Sequence, residues 1–233
     1  MTNAQEMIEQ LTEHIALNSE MKNILSVVDR GLFSPSYAKH LSYTLDAINM
    51  GNERWIQSPL TVVKIAQYLE VKKSDKILEI GCGSGYQAAI LSKMCQKIHT
   101  IDCDPIILSK AQKRFENLNI KNVQSILALR EQDWEPKETF DRIVFSMSVE
   151  EVPNIYFYKL AENGIIIAPL EVRDNYQVLT KYHKKNGVIS IESIEQCSFI
   201  SMSGIIEKSS VKKWGNNIVF YLKDKIKAMI KGG

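Results

Sequence analysis

The chain has 233 residues and a formal net charge of +2 at pH 7, a balance that does not itself decide for or against nucleic acid. Hydrophobic residues make up 45% and charged residues 24% of the chain, which is ordinary for a soluble globular protein. Its apolar runs fall short of the roughly 18 residues that a membrane span needs.

The N-terminus and the cysteines predict a location. Residues 1–10 contain Glu6 and Glu9 and lack the apolar core of a signal peptide. The chain has four cysteines, Cys82, Cys95, Cys103 and Cys197. They form no CxxC pair and no Cys/His cluster with zinc spacing. We therefore predict a cytoplasmic protein with free thiols and no metal site.

The first part of the chain, residues 1–58, predicts a separate N-terminal segment. Apolar residues at helical spacing predict a helix over residues 4–28. Residues 31–58 show no clear period, and a stretch of that length is often a functional loop. Ser58 and Pro59, a capping residue followed by a residue suited to the first turn, then predict the start of a helix.

The central part of the chain alternates short apolar strands with helical segments. Strands are predicted at residues 76–80, 98–101, 123–126, 142–145 and 165–168, and helices at 86–94, 105–118 and 154–160. This alternation predicts a doubly wound α/β fold with a mostly parallel, Rossmann-like sheet, which we assign to residues 59–205.

The C-terminal part adds a hairpin and a helix. The stretches at residues 177–182 and 193–200 flank Asn186-Gly187, a strong turn signal, and predict an antiparallel pair at the sheet edge. Residues 206–233 predict a basic amphipathic helix as a third unit. This helix could pack on the core, mediate a homo-oligomer, or touch a membrane surface or acidic partner.

A glycine-rich loop carries the clearest functional signal. The strand at residues 76–80 runs into Gly81-Cys82-Gly83-Ser84-Gly85, and a helix follows. Glycines let the backbone turn tightly and approach a ligand, and the start of a helix offers unpaired N–H groups. This arrangement predicts a nucleotide-type site at the carboxyl end of the strand, with a purely structural turn as the alternative.

The residues around the loop discriminate among ligands. A phosphate-binding loop needs a lysine after the last glycine, and a dinucleotide fold needs a glycine where Tyr86 stands. Glu79 would repel a pyrophosphate but suits the ammonium and sulfonium of S-adenosylmethionine. Asp102, about twenty residues past Gly81, can accept both ribose hydroxyls, with Asp104 as an alternative. We therefore predict S-adenosylmethionine as the cofactor.

From about residue 18 to residue 203 the chain resembles the protein-L-isoaspartate O-methyltransferase family. The closest motif is Leu78-Glu-Ile-Gly-Cys-Gly-Ser-Gly-Tyr-Gln-Ala-Ala89, in which Tyr86-Gln87-Ala88 is more specific than the glycines. Four further segments are similar: Val28-Asp-Arg-Gly-Leu-Phe-Ser-Pro35, Phe140-Asp-Arg-Ile-Val144, Val152-Pro153 and Ser198-Phe-Ile-Ser201.

The resemblance implies an enzyme that methylates isoaspartyl residues in damaged proteins and so repairs them. It implies a protein or peptide substrate bearing isoaspartyl residues, and we expect no nucleic acid or integral membrane partner. The cofactor-binding residues it implies are Glu79, Gly81, Cys82, Gly83, Ser84, Gly85, Gln87, Asp102, Cys103 and Leu129.

Two segments depart from the family pattern. The family's substrate loop reads approximately G-x-G-Q-T-I-S-x-P, whereas residues 51–59 place Gln57 at the serine position and Ser58 one position later. We take Gln57 and Ser58 as candidate catalytic residues, with Ser58 as a displaced substitute or only a helix cap. The family's Gly-Asp-Gly after the third strand aligns with Ala128-Leu129-Arg130, which offers no carboxylate in that register.

Two neighbours in the loop have open roles. Arg54 could pair with a substrate carboxylate or be solvated, and Trp55 could cover the substrate or anchor the loop. A carboxylate, with a pKa of about 4, is already nucleophilic at pH 7, so positioning and removal of water suffice for methyl transfer. Gln57 and Leu129 favour one alternative to isoaspartyl repair, a different carboxylate acceptor (a small molecule or biosynthetic peptide). The changed loop and the basic C-terminal segment favour another, a catalytically weak relative with a binding role.

Overall fold

The computed structural model describes residues 3–51, 54–128, 137–173 and 176–201 of the chain. The strands are β1 (Ile48–Gly51), β2 (Arg54–Ile56), β3 (Lys76–Ile80), β4 (Lys97–Asp102), β5 (Val123–Leu127), β6 (Phe140–Phe145), β7 (Leu160–Arg173), β8 (Tyr176–Lys185) and β9 (Val188–Cys197). The α-helices are α1 (Asn3–His14), α2 (Ser19–Val27), α3 (Pro59–Tyr68), α4 (Tyr86–Ser92), α5 (Pro105–Asn117) and α6 (Asn154–Lys159).

Seven strands form the main sheet, in the order β5-β4-β3-β6-β7-β8-β9. The first five strands in this order, β5, β4, β3, β6 and β7, run parallel to one another. The last two, β8 and β9, continue the sheet as an antiparallel edge. The predicted doubly wound α/β fold with an antiparallel edge hairpin is confirmed. The helix predicted at residues 206–233 lies outside the described residues, and the division into three units stays a prediction.

The central strands are apolar because helices cover both faces of the sheet. In β3 the four residues after Lys76 are all buried. Ile77 belongs to a core that includes apolar side chains from α1 to α5, whereas Leu78 belongs to a second core with Tyr156 of α6. The sequence of a strand buried on both faces is a nearly continuous apolar run, as is usual in a parallel sheet.

The single helix predicted over residues 4–28 is wrong at its centre, where the chain forms two helices. The first ends at His14, and the second begins at Ser19. The side chain of Asn18 accepts a hydrogen bond from the Met21 N–H at 2.8 Å and so caps the second helix. A capping asparagine satisfies an N–H group that the start of a helix leaves unpaired, which favours a new start over a continuous helix.

The edge hairpin also differs from its predicted bounds, because its second strand starts at Val188 instead of residue 193. Asn186 and Gly187 both adopt positive φ, at 52° and 73°, as a tight two-residue turn requires. Pairing therefore resumes at once, with Lys185 opposite Val188.

The stretch at residues 31–58, predicted to be irregular, contains regular structure. It includes two short 3-10 helices, Arg30–Leu32 and Ser36–Leu41, and the antiparallel pair β1–β2. Ile48 pairs with Ile56 in this hairpin, and both side chains are buried. The sequence prediction missed the hairpin because its strands are too short to show a period.

A buried arginine ties the hairpin to the rest of the fold. Arg30 is fully buried, and its guanidinium lies 5.8 Å from the centre of the Tyr86 ring. Its Nη1 and Nη2 donate to four backbone carbonyls at 2.8–3.1 Å, those of Ser42, Thr44, Asp46 and Gln57. Burial lowers the pKa of this guanidinium, but the carbonyls and the ring offset part of the cost of removing its charge from water.

Among the described helices, none has both the length and the apolar character that crossing a membrane requires.

We predict that Arg30→Met lowers the free energy of unfolding by about 2–4 kcal/mol, because four carbonyls lose a charged donor. Urea unfolding followed by tryptophan fluorescence measures the change. Lys39→Met, at an exposed position of the same segment, is the matched control and should stay within about 0.5 kcal/mol of the wild type. A comparably small loss for Arg30→Met would contradict the role given to this side chain.

Candidate active site

The glycines of the loop after β3 serve different purposes. All three have positive φ, at 97° for Gly81, 53° for Gly83 and 86° for Gly85. A Cβ atom on Gly81 would lie 2.8 Å from Met147 Cε, and one on Gly85 would lie 2.7 Å from Phe115 Cζ. A Cβ atom on Gly83 would meet nothing within 4 Å. Packing against Phe115 thus requires glycine at position 85, the positive φ favours glycine at position 81, and Gly83 borders open space.

Glu79, the last but one residue of β3, is fully buried beneath this loop. Its carboxylate accepts hydrogen bonds from Thr100 Oγ1 at 2.5 Å, Gln87 Nε2 at 3.0 Å and Ser146 Oγ at 3.3 Å. Burial raises the pKa of Glu79 to about 7, although the three donors favour the ionised form. The charge of Glu79 therefore depends on pH near neutrality.

Gln87, on α4, leaves an acceptor unused next to this carboxylate. Its Nε2 donates to both Glu79 and Ser146, the latter at 2.8 Å. Its Oε1 is buried and has no hydrogen-bond partner among the residues that the structure describes. An unpaired buried acceptor is costly unless a ligand or water donates to it.

Asp102 ends β4 on the other side of the loop. Its Oδ2 accepts from the Gly83 N–H at 2.9 Å, and its Oδ1 accepts from the Asp104 N–H at 3.1 Å. Arg54 Nη2, from the hairpin, lies 3.3 Å from Oδ1 and 3.7 Å from Cys103 Sγ. Arg54 is thus ion-paired, with only 11% of its side chain exposed, and not solvated as one of the two sequence interpretations held.

Asp104, the alternative ribose ligand, has a structural role. Its Oδ1 accepts from the N–H groups of Ile106 and Ile107, at 2.9 and 3.1 Å, and so caps α5. Between the two acids of this region, Asp102 is therefore the one that faces both the glycine loop and the hairpin.

A cleft that opens to solvent lies between the glycine loop and the hairpin. Its lining comes from two parts of the fold. Glu79, Gln87 and the loop from Gly81 to Ser84 belong to the main sheet and α4, and Arg54, Trp55, Ile56 and Gln57 belong to the hairpin and the residue after it. The lining also includes the apolar side chains of Val62, Met147 and Ile200. The cleft therefore combines a carboxyl group from the main sheet with a guanidinium from the hairpin.

The two candidate catalytic residues occupy different places. Gln57 lines the cleft, and its carbonyl is held by Arg30 Nη2 at 3.0 Å. The Ser58 hydroxyl accepts from the Leu60 N–H at 3.2 Å, as expected of a helix cap. The catalytic roles of both residues stay predictions. Trp55 lines the cleft with 43% of its surface exposed.

Sequence reasoning missed the residues that follow β6. Ser146 and Met147 line the cleft, and the Ser148 N–H donates to the Ile200 carbonyl at 2.7 Å. The side chain of Gln177 holds the backbone next to Ile200. Its Oε1 accepts from the Phe199 N–H at 2.6 Å, and its Nε2 donates to the Phe199 carbonyl at 2.9 Å. One signal was present: Ser146 directly follows a parallel strand, at the same sheet edge as Gly81.

Leu129, the last of the implied cofactor ligands, lies outside the described residues. The four cysteines are free thiols, and burial raises the pKa of Cys82 well above its usual value. Within the described ranges, no cluster of three or more His, Cys, Asp or Glu side chains could hold a metal ion.

Comparisons with known sequences identify a family and several relatives. Residues 2–207 match the family described as protein-L-isoaspartate(D-aspartate) O-methyltransferase. The protein-L-isoaspartate O-methyltransferase of Helicobacter pylori (strain G27) is 35% identical over 195 residues, covering 83% of this chain and 93% of that protein. The one from Thermosipho melanesiensis is 34% identical over 197 residues, covering 82% and 98%.

A solved structure is similar in fold. The Plasmodium falciparum protein-L-isoaspartate O-methyltransferase, crystallised with S-adenosyl-L-homocysteine, aligns with a TM-score of 0.73 at 24% identity, covering 86% of this chain and 98% of that one. The predicted fold, cofactor and enzyme class are confirmed, and the chain belongs to the protein-L-isoaspartate(D-aspartate) O-methyltransferase family.

Proposed function

We propose that this protein transfers the methyl group of S-adenosylmethionine to the free carboxylate of L-isoaspartyl residues in damaged proteins. The observation that carries the proposal is the charge arrangement of the cleft. Glu79 and the loop at Gly83 line it from the main sheet, and Arg54 and Gln57 line it from the hairpin. We infer that the two groups form an acidic side and an opposite side with the guanidinium. A cationic nucleoside suits the acidic side, and a carboxylate suits the side with the guanidinium.

The acidic side fits the cofactor, which supplies a methyl group activated by its sulfonium. We assign the ammonium of the cofactor to Glu79 and to Gln87 Oε1, the buried acceptor without a partner in the described part of the chain. We assign the ribose to Asp102, at the carboxyl end of β4. Gly83 leaves the space between these two ends free of side chain.

The opposite side has to hold an acceptor without acid–base chemistry. A carboxylate is ionised at pH 7, so the chain needs only to orient it and to remove water around it. Ile56, Val62, Met147 and Ile200 supply apolar walls for that purpose. Positioning of this kind contributes up to roughly 7–11 kcal/mol to a reaction barrier.

A second candidate function is methylation of another carboxylate, on a small molecule or a biosynthetic peptide. Gln57 favours it, because a longer amide side chain lines the cleft where the family pattern has serine. A binding role with weak catalysis is the third candidate. A cytoplasmic location, and self-association through residues 206–233, remain predictions from the sequence.

We predict that isoaspartyl peptide accepts label from methyl-labelled S-adenosylmethionine at least about tenfold faster than the same peptide with normal aspartate. Gly83→Val, which would fill the open space at the loop, is the inactive control. Label no higher than in the aspartyl control would reject isoaspartyl repair. Transfer to another carboxylate under those conditions would support the second candidate, and absence of cofactor binding in calorimetry would support the third.

We predict that Gln57→Ser raises kcat/KM for the isoaspartyl peptide by about tenfold, since the family's hydroxyl returns to a position whose carbonyl Arg30 already holds. Ser58→Asn is the matched comparison, because asparagine keeps the helix cap but removes the hydroxyl. If Ser58 only caps α3, this variant stays within about twofold of wild type. A large loss of activity at unchanged stability would instead make Ser58 the displaced serine.

We predict that cofactor binding releases a proton below neutral pH. The pKa of Glu79 is raised to about 7 in the free protein, and a neighbouring ammonium favours its ionised form. Affinity for S-adenosylhomocysteine, which carries the same ammonium, should therefore fall as pH drops from about 7.5 to 5.5, by up to about tenfold per unit.

Calorimetry in buffers of different ionisation enthalpy counts this proton directly. Glu79→Gln should abolish the release and flatten the pH dependence, whereas Glu150→Gln, at an exposed site, should leave both intact. A proton release that persists in Glu79→Gln would mean that another group titrates.

A further inference from the structure

The ion pair between Arg54 and Asp102 joins the hairpin to the carboxyl end of β4. The atoms Nη2 and Oδ1 lie 3.3 Å apart, and the side chains are 11% and 0% exposed. The residues are 48 positions apart in the chain and belong to the hairpin and to the main sheet. A pair this far from water is coupled more strongly than a surface salt bridge.

Both oxygens of Asp102 are already engaged by protein donors. Gly83 donates to Oδ2, and Asp104 and Arg54 both approach Oδ1. The first two donors are backbone groups of the loops that hold this carboxylate in place. Arg54 is a long side chain on a separate hairpin, so its departure requires the least rearrangement when ribose hydroxyls approach Asp102.

A guanidinium displaced from Asp102 needs another anion, because the cleft shields it from water. Arg54 lines the cleft beside Trp55 and Gln57, on the side where the acceptor would lie. A carboxylate acceptor matches a guanidinium in charge and geometry. The donor removed by the cofactor is thus available to the acceptor.

We propose, building on the proposed function, that Arg54 is a specificity-determining residue that exchanges partners. It pairs with Asp102 in the free protein and with the acceptor carboxylate once the ribose occupies Asp102. This exchange makes binding ordered, with the cofactor first, and it excludes acceptors that lack a negative charge.

The exchange is consistent with the charges of the reaction. A lone pair of the carboxylate oxygen forms the bond to the methyl carbon, and the electron pair of the broken carbon–sulfur bond goes to sulfur. No proton moves, and the products are a neutral ester and a neutral thioether. The ester no longer holds Arg54, which returns to Asp102 as the nucleoside leaves.

Calorimetry with S-adenosylhomocysteine tests the first half of the proposal without any acceptor. Arg54→Gln should bind it about three- to tenfold more tightly than wild type, because no ion pair has to be broken. The affinity of Arg54→Lys should lie between those of Arg54→Gln and wild type. The difference in affinity between Arg54→Gln and wild type should shrink in high salt. Lys39→Gln is the control outside the cleft. Equal or weaker binding by Arg54→Gln overturns the exchange.

Acceptor binding tests the second half. A labelled isoaspartyl peptide should bind wild type at least about tenfold more tightly with S-adenosylhomocysteine present than without it, and Arg54→Gln should lack this coupling. In turnover, Arg54→Gln should raise the acceptor KM by about tenfold with kcat unchanged or higher. The reason is that the attraction between Arg54 and the acceptor carboxylate is strongest before methyl transfer removes the negative charge of that carboxylate.

The outcomes separate the two proposals. An unchanged acceptor KM in Arg54→Gln overturns the acceptor half, even where calorimetry supports the exchange at Asp102. Failure of the wild type to methylate the isoaspartyl peptide refutes the proposed function, whereas the calorimetric result then still decides whether Arg54 competes with the ribose.

Discussion

The site depends on one buried guanidinium. The guanidinium of Arg30 donates to backbone carbonyls within residues 42–57 and packs over the ring of Tyr86, the first residue of α4. A charge this far from water is tolerated because four carbonyl oxygens and an aromatic face replace its hydration. The hairpin is a two-stranded ribbon, which is marginal by itself in water, so it depends on contacts of this kind with the rest of the fold. Arg30 thus couples the position of the hairpin to the start of the helix that follows the glycine loop.

The two acids beside the glycine loop have different surroundings. Glu79 is enclosed by Thr100, Gln87 and Ser146. Thr100 lies in β4, Gln87 lies in α4, and Ser146 directly follows β6. Asp102 is instead shared between the glycine loop and Arg54 of the hairpin. We therefore expect the charge of Glu79 to respond to pH and the contacts of Asp102 to respond to ligands.

The parts predicted from the sequence are those set by local pattern. The strand at Lys76–Ile80, the glycines and the Asn186-Gly187 turn each depend on neighbouring residues, and the structure has them where they were expected. The pairs Arg30–Gln57 and Arg54–Asp102 span 27 and 48 residues, and no periodicity reports them. The break before Ser19 had a local signal in Asn18, which the apolar pattern on either side concealed.

The absence of acid–base demand in carboxylate methylation bears on how such a site can change. A reaction that needs a proton transfer requires a specific acidic or basic side chain in the site. A reaction that needs only orientation and exclusion of water requires a pocket of a given shape and charge. Position 57 can then differ from the family serine while the cofactor side is retained. Selection of the acceptor falls to the hairpin wall, where Arg54 is ion-paired to the acid assigned to the ribose. The acceptor of such an enzyme is therefore set by the charge and geometry of that wall more than by any single reacting group.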